Sequence, residues 1–183
     1  MTVSTVKGEQ ITNIETNPII AIDRRLDSVG IRSNKDSIEV ATTSIDEVGD
    51  IILLCKIPSN CLIDNISIKC DDLDAHACPT LAADIGLYYS GINNKLAGVI
   101  KESGDVIDAD CFATADISLQ AAKTSWTEVT NEVLNIDNYD KEAWEIGGLA
   151  SDPGGIFYLG ITITTVAATA AAGTIVAKVD FTL

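Results

Sequence analysis

Apolar and polar residues alternate with a period of two along the end of the chain. From Ile156 to Val166, Phe157, Leu159, Ile161 and Ile163 fall on one face and Tyr158, Thr162 and Thr164 on the other, as in a half-buried strand. Thr174 to Leu183 repeats the pattern, with Ile175, Ala177, Val179 and Phe181 set against Val176, Lys178, Asp180 and Thr182. Both runs are rich in β-branched residues, which suit a pleated surface with one face buried. The alanine-rich loop from Ala167 to Gly173 joins them, so a terminal hairpin is expected. A chain that stops inside a sheet points to a sandwich or barrel.

Shorter strand signals precede these. Ile38, Val40 and Thr42 alternate, Val48-Gly49-Asp50 turns into an apolar run from Ile51 to Ile57, and Pro58-Ser59-Asn60 breaks it before Leu62 to Lys69. Between Thr80 and Tyr89, Leu81, Ala83, Ile85 and Leu87 share one face and Asp84, Gly86 and Tyr88 the other, closed by Gly91-Ile92-Asn93-Asn94. Strands at this close spacing, separated by turn residues, favour an all-β sandwich or jelly roll over a parallel α/β sheet. Residues 125–146 read two ways. Ser125 to Glu128 has capping-box spacing, and Asp140 to Ile146 ended by Gly147-Gly148 offers another helical turn, yet Trp126 to Leu134 also alternates as a strand. Residues 1–35 show no sustained period and read as an extended arm, leaving 36–183 as the jelly-roll domain.

Composition narrows the function classes. Twenty-seven acidic residues against twelve basic ones give a net charge of −15, which repels nucleic-acid phosphates and anionic membrane surfaces. The start, Met1 to Gly8, has neither the basic residues nor the apolar core of a signal peptide, and no apolar run reaches membrane-spanning length. Synthesis and maturation in a cytoplasm are expected. The cysteines, Cys55, Cys61, Cys70, Cys78 and Cys111, are odd in number, contain no C-x-x-C pair and are expected as free, mostly buried thiols. Asn65-Ile66-Ser67 matches a glycosylation sequon only by chance in such a chain.

Catalytic signatures are missing: no phosphate loop, dinucleotide fingerprint, nucleophile elbow or zinc-protease motif occurs. The one histidine, His76, lies in Asp71-Asp72-Leu73-Asp74-Ala75-His76-Ala77-Cys78, which gathers ligand-type side chains but fits neither calcium-loop nor zinc spacing. That segment reads better as a solvated turn, and no metal or cofactor is expected. Acids also gather at Asp105, Asp108 and Asp110 and at Asp137, Asp140, Glu142 and Glu145. Glycoside hydrolysis needs two carboxyls set across a sugar, and no pair here is marked out for that role.

One ordered series of short motifs carries a resemblance. Val48-Gly49-Asp50-Ile51-Ile52, Lys56-Ile57-Pro58-Ser59, Ile63-Asp64-Asn65-Ile66, Asp84-Ile85-Gly86-Leu87-Tyr88 and Asp110-Cys111-Phe112-Ala113 come first. Lys141 to Leu149, Asp152-Pro153-Gly154-Gly155 and Ala172-Gly173-Thr174-Ile175 follow. From Val48 to Leu183 the chain resembles the jelly-roll decoration, or cement, proteins of tailed-bacteriophage heads. The resemblance implies a non-enzymatic, commonly trimeric virion protein that binds the major capsid protein on the outer head surface, between capsomers. The acidic charge already argues against a nucleic-acid or membrane partner. On that reading the arm would make the capsid contact, with Ile19, Ile20 and Ile22 buried against a neighbour and Arg24 and Arg25 paired with its acids. A tail, head-fibre or receptor-contacting module, and a carboxylate enzyme acting on polysaccharide, are the alternatives.

Overall fold

Eleven strands, one short α-helix and two single-turn 3-10 helices form among the described residues, which in this computed structural model are 5–7, 31–92, 94–97, 99–130, 138 and 140–183. The strands are β1 (Thr5–Lys7), β2 (Arg32–Val40), β3 (Ile51–Pro58), β4 (Leu62–Cys70), β5 (Ala82–Ser90), β6 (Lys95–Leu96), β7 (Val99–Ile100), β8 (Ser103–Asp116), β9 (Lys123–Glu128), β10 (Ile156–Thr165) and β11 (Gly173–Thr182). The helix, α1, is Ala143–Ile146. One sheet has the order β1-β3-β10-β5-β8, a second β2-β11-β4-β9, and β6-β7 is a small hairpin. Setting aside β1 and that hairpin, eight antiparallel strands remain, divided between two four-stranded sheets. Numbered by their rank in the chain, they lie as 1-8-3-6 and 2-7-4-5. This is the double Greek key of a jelly roll, and the fold is all-β as the alternation predicts.

The core lies between the sheets. β11 alternates buried and half-buried residues along its whole length, so Ile175, Ala177, Val179 and Phe181 point inward. They join one cluster with Phe157, Leu159, Ile161 and Ile163 of β10 and with Leu81, Ala83, Ile85 and Leu87 at β5. These are the faces read from the sequence. The expected terminal hairpin, however, does not form: β10 pairs with β3 and β5, whereas β11 pairs with β2 and β4. Both strands are central, each needing a ladder on either side, and residues 166–172 cross the roughly 10 Å between the packed sheets instead of turning within one.

Tyr158 also departs from the expected exposed face of β10. It is fully buried with Leu53 and Tyr88 in a second apolar cluster, flanked by Ile51, Ala109 and Ile156. Gly160 makes this packing work, because the Tyr88 ring occupies the place a β-carbon would take there. The Tyr88 hydroxyl is hydrogen-bonded to that of Thr162.

The segment that read as helix or strand is divided. Residues 123–128 are β9, paired with β4, so the Ser125 capping-box spacing is not used. The helix forms at Ala143–Ile146 instead, where Glu142 and Glu145 make the reciprocal capping box. β2 begins at Arg32 and pairs with β11 from there, so this strand takes in residues 32–35, which were assigned to the arm. Within the arm, β1 adds in parallel to β3. The proposed contact residues Ile19, Ile20, Ile22, Arg24 and Arg25 lie outside the described residues.

Candidate functional site

The Asp71–Cys78 segment is a structural joint. Asp74 is almost fully buried, and its carboxylate accepts backbone N–H bonds from Thr80 (2.7 Å), Leu81 (3.0 Å), Ala168 (3.0 Å) and Thr169 (2.9 Å). Burial pushes its pKa up, but the four donors outweigh burial and hold the carboxyl well below the usual carboxylate range. The joint ties the residues leading into β5 to the crossover between β10 and β11, and Ala171 N–H donates to the Leu73 carbonyl beside it. His76 is exposed and accepts the Cys78 N–H within its own loop. Among the described residues no three His, Cys, Asp or Glu side chains are grouped to hold a metal ion.

Acids of both clusters are held by local hydrogen bonds. Asp105 accepts the Glu102 N–H and Asp108 the Asp110 N–H, both along edge strand β8. Burial, then the neighbouring Asp110, raises the Asp108 carboxyl. In the second cluster Glu142 accepts the Trp144 indole N–H at 2.6 Å and Glu145 the Glu142 N–H at 3.0 Å, so both carboxylates serve α1; Asp137 lies outside the described residues. Four of the five cysteines are buried, only Cys78 being exposed, and none is in a disulfide. Burial pushes the Cys55 and Cys111 thiols far up and Cys61 to about 12, so these are inert core groups.

The outer face of the four-stranded sheet is different. Lys35 on β2, Lys178 on β11 and Lys69 on β4 come from three adjacent strands and place their ammonium groups 5.8, 5.6 and 4.9 Å from the ring centroid of Trp126. Trp126 is itself 37% exposed. The β4–β9 register explains its position. Ile68 faces Thr127 and Cys70 faces Lys123, so β9 carries extra residues across one step of β4 and bulges. Such bulges redirect side chains. A groove of about 230 Å³, which shares Lys69 with this cluster, opens between Lys69, Asp71, Lys123, Thr174 and Val176. The sequence reading missed this face, since alternation marked Lys178 as outward but could not align three lysines from strands whose pairing was unknown.

No protein-family model and no curated protein matches the chain. Two solved structures do. A chain of the capsid of Ralstonia phage GP4 is similar with a TM-score of 0.59 at 17% identity, over 98% of this chain and 97% of that one. A chain of the cyanophage Pam1 capsid asymmetric unit is similar with a TM-score of 0.54, also at 17% identity, over 90% and 92%. The likeness therefore runs between whole chains and is one of fold.

Proposed function

We propose that this protein is a structural component of a phage virion, a decoration or cement protein of the head without catalytic function. The observation carrying this reading is the end-to-end likeness to chains of two phage capsids, added to the ordered motifs that resemble cement proteins. The net charge of −15 supports an outer position, where the shell separates the protein from the packaged genome. Made in the host cytoplasm, the chain would join the head as a homotrimer that bridges neighbouring copies of the major capsid protein. Because it would bind the assembled shell more tightly than free subunits, binding would stabilise the shell by linkage.

In this proposal the arm supplies the shell contact, through Ile19, Ile20, Ile22, Arg24 and Arg25. Cryo-electron microscopy of the particle tests the reading. Density for the chain on the outer head surface between capsomers is expected, and density on the tail or at a single vertex would replace the reading with an attachment role. Deleting residues 1–30 spares β2, which starts at Arg32. The truncated chain should remain folded by circular dichroism but lose occupancy on heads, and undiminished occupancy would remove the arm from the contact.

A further inference from the structure

We propose that the cavity between β2 and β3 binds the C-terminal residue of a partner polypeptide, taking its carboxylate, the N–H beside it and an apolar side chain. The cavity holds about 170 Å³. Pro58, Ile156, Phe181 and Leu183 make up its apolar part, and Arg32, Asn34 and Lys56 its polar part. Each sheet supplies one cross-strand pair, Arg32 with Phe181 from the smaller and Pro58 with Ile156 from the larger. An apolar lining with a few convergent polar groups is the make-up of a ligand site, and drug-sized ligands occupy roughly 300 Å³ or more. This smaller cavity suits a single residue.

Its polar groups lack partners that a C-terminal residue carries. β3 bulges opposite Tyr158 and Leu159, with Cys55 at a φ of 29°, and beside the bulge Lys56 reaches the cavity that Arg32 and Asn34 line from β2. Lys56 is half-buried, and burial lowers its pKa, so its ammonium has given up part of its hydration. Among the described residues neither Lys56 nor Arg32 makes an ion pair or a hydrogen bond. The carboxylate acting on Lys56 is that of Asp36, buried two positions beyond Asn34 and accepting the Ser37 N–H. One acid thus stands against two cations, which leaves a place for a second carboxylate. Asn34 Oδ1 is buried without a hydrogen-bond partner, and a buried acceptor left unpaired is costly until a donor reaches it. Because Asn34 lines the cavity, a turn of its amide presents that oxygen to a donor inside. A simple carboxylate would leave Asn34 unpaired, and the middle of a peptide would bring no charge to Lys56 and Arg32. A C-terminal residue joins carboxylate, N–H and side chain at one α-carbon, which is how carboxylate-end recognition works elsewhere.

The inference does not rest on the head assignment, since peptide binding and head occupancy can each be present without the other. Its test is an NMR titration of the isotope-labelled full chain with acetyl-glycyl-leucine, whose carboxylate is free. Saturable shifts are expected at the amides around Arg32, Asn34, Lys56 and Phe181. Amidating the carboxylate should weaken binding by about tenfold, as for a hydrogen bond to a charged group, and methylating the leucine N–H by about fivefold. Lys56→Met should lose about tenfold toward the free carboxylate and little toward the amide, while Lys56→Arg keeps most of the affinity. Asn34→Ala should bind the methylated and unmethylated peptides equally, a change in selectivity that a folding defect does not produce. The proposal is overturned if millimolar peptide moves none of these amides, if the shifts centre elsewhere, or if the amidated peptide binds as well as the acid. Equal binding of 4-methylpentanoate, which has the carboxylate and side chain without the N–H, would make this a simple carboxylate site and end the case for a polypeptide.

Discussion

Removing the Asp74 carboxylate should unfasten the crossover that makes this chain a jelly roll rather than a hairpin-ended sheet. Four N–H groups from two separate segments converge on this one side chain. In Asp74→Ala, the N–H of buried Leu81 loses its acceptor, at about 1–3 kcal/mol. Thr80, Ala168 and Thr169 are exposed residues whose N–H groups water can reach, so each should cost about 0.5–1 kcal/mol. Together these give about 2.5–6 kcal/mol, a large share of the roughly 5–15 kcal/mol that stabilises a typical domain. For a chain of this size the middle of that range corresponds to a fall in Tm of about 12 °C. Asp74→Asn should be milder, because an amide oxygen can keep the Oδ2 partners Thr80, Leu81 and Ala168 while its NH₂ confronts the Thr169 N–H. Differential scanning calorimetry of the three proteins at neutral pH reads the order directly. The parent should also be distinguished by pH. Since its folded carboxyl sits below the ordinary value of 3.8, the unfolded chain takes up the proton first, and the stability this group supplies is full above that value and lost as pH falls below it. A Tm loss under about 4 °C for Asp74→Ala, or equal acid sensitivity in Asp74→Asn and the parent, would refute the joint.

Gly160→Ala should destabilise the fold by about 1–3 kcal/mol through overpacking, because the new methyl meets the Tyr88 ring, whose hydroxyl is tied to Thr162. An unchanged urea midpoint would contradict that packing. A thiol reagent should label Cys78 alone in the native protein and all five cysteines once urea unfolds it; rapid native labelling of a second thiol would argue against the core arrangement. Stability should fall as pH rises past about 9, the ordinary thiol value, because the unfolded chain ionises its thiols while burial keeps Cys55, Cys61 and Cys111 protonated in the fold. Urea midpoints across that range should drop less steeply for Cys111→Ala than for the parent.

The inward faces of the strands were legible because burial follows the period of two, and Ile175 to Phe181 carry it without interruption. Pairing was not legible. Nothing in the alternation of Ile156 to Val166 and Thr174 to Leu183 says whether the strands join one sheet or two, since both solutions bury the same side chains. Tyr158 shows a second limit. Period two assigned it to the opposite face correctly, but whether that face is wet depends on what packs there, and Leu53 and Tyr88 arrive from strands far apart in sequence. Asp74 looked like one acid among many because its four donors lie up to 95 residues away. Trp126 was ambiguous for a related reason. Helical and strand spacing both fit the residues around it, and only the pairing of β9 with β4 decides between them.

Edges and charge together limit how copies of this protein can meet. β8, at one edge of the larger sheet, carries Asp105, Asp108 and Asp110, and charged edges resist pairing with another strand. β9, the edge of the smaller sheet on the chain's next crossing, is bulged, which interrupts the regular ladder a second chain would need. Lateral strand addition is therefore disfavoured at both, and copies at −15 each repel further at close range. If the protein covers a head as proposed, a dense array requires attraction from elsewhere. On the proposed reading, the arm's Arg24 and Arg25 supply attraction toward acids of the shell. If both contribute, occupancy on heads should fall as salt is raised, since exposed ion pairs are screened while apolar contacts are not weakened in the same way. Salt-resistant occupancy would instead place the contact energy in the arm's isoleucines, separating the two contributions without any mutation.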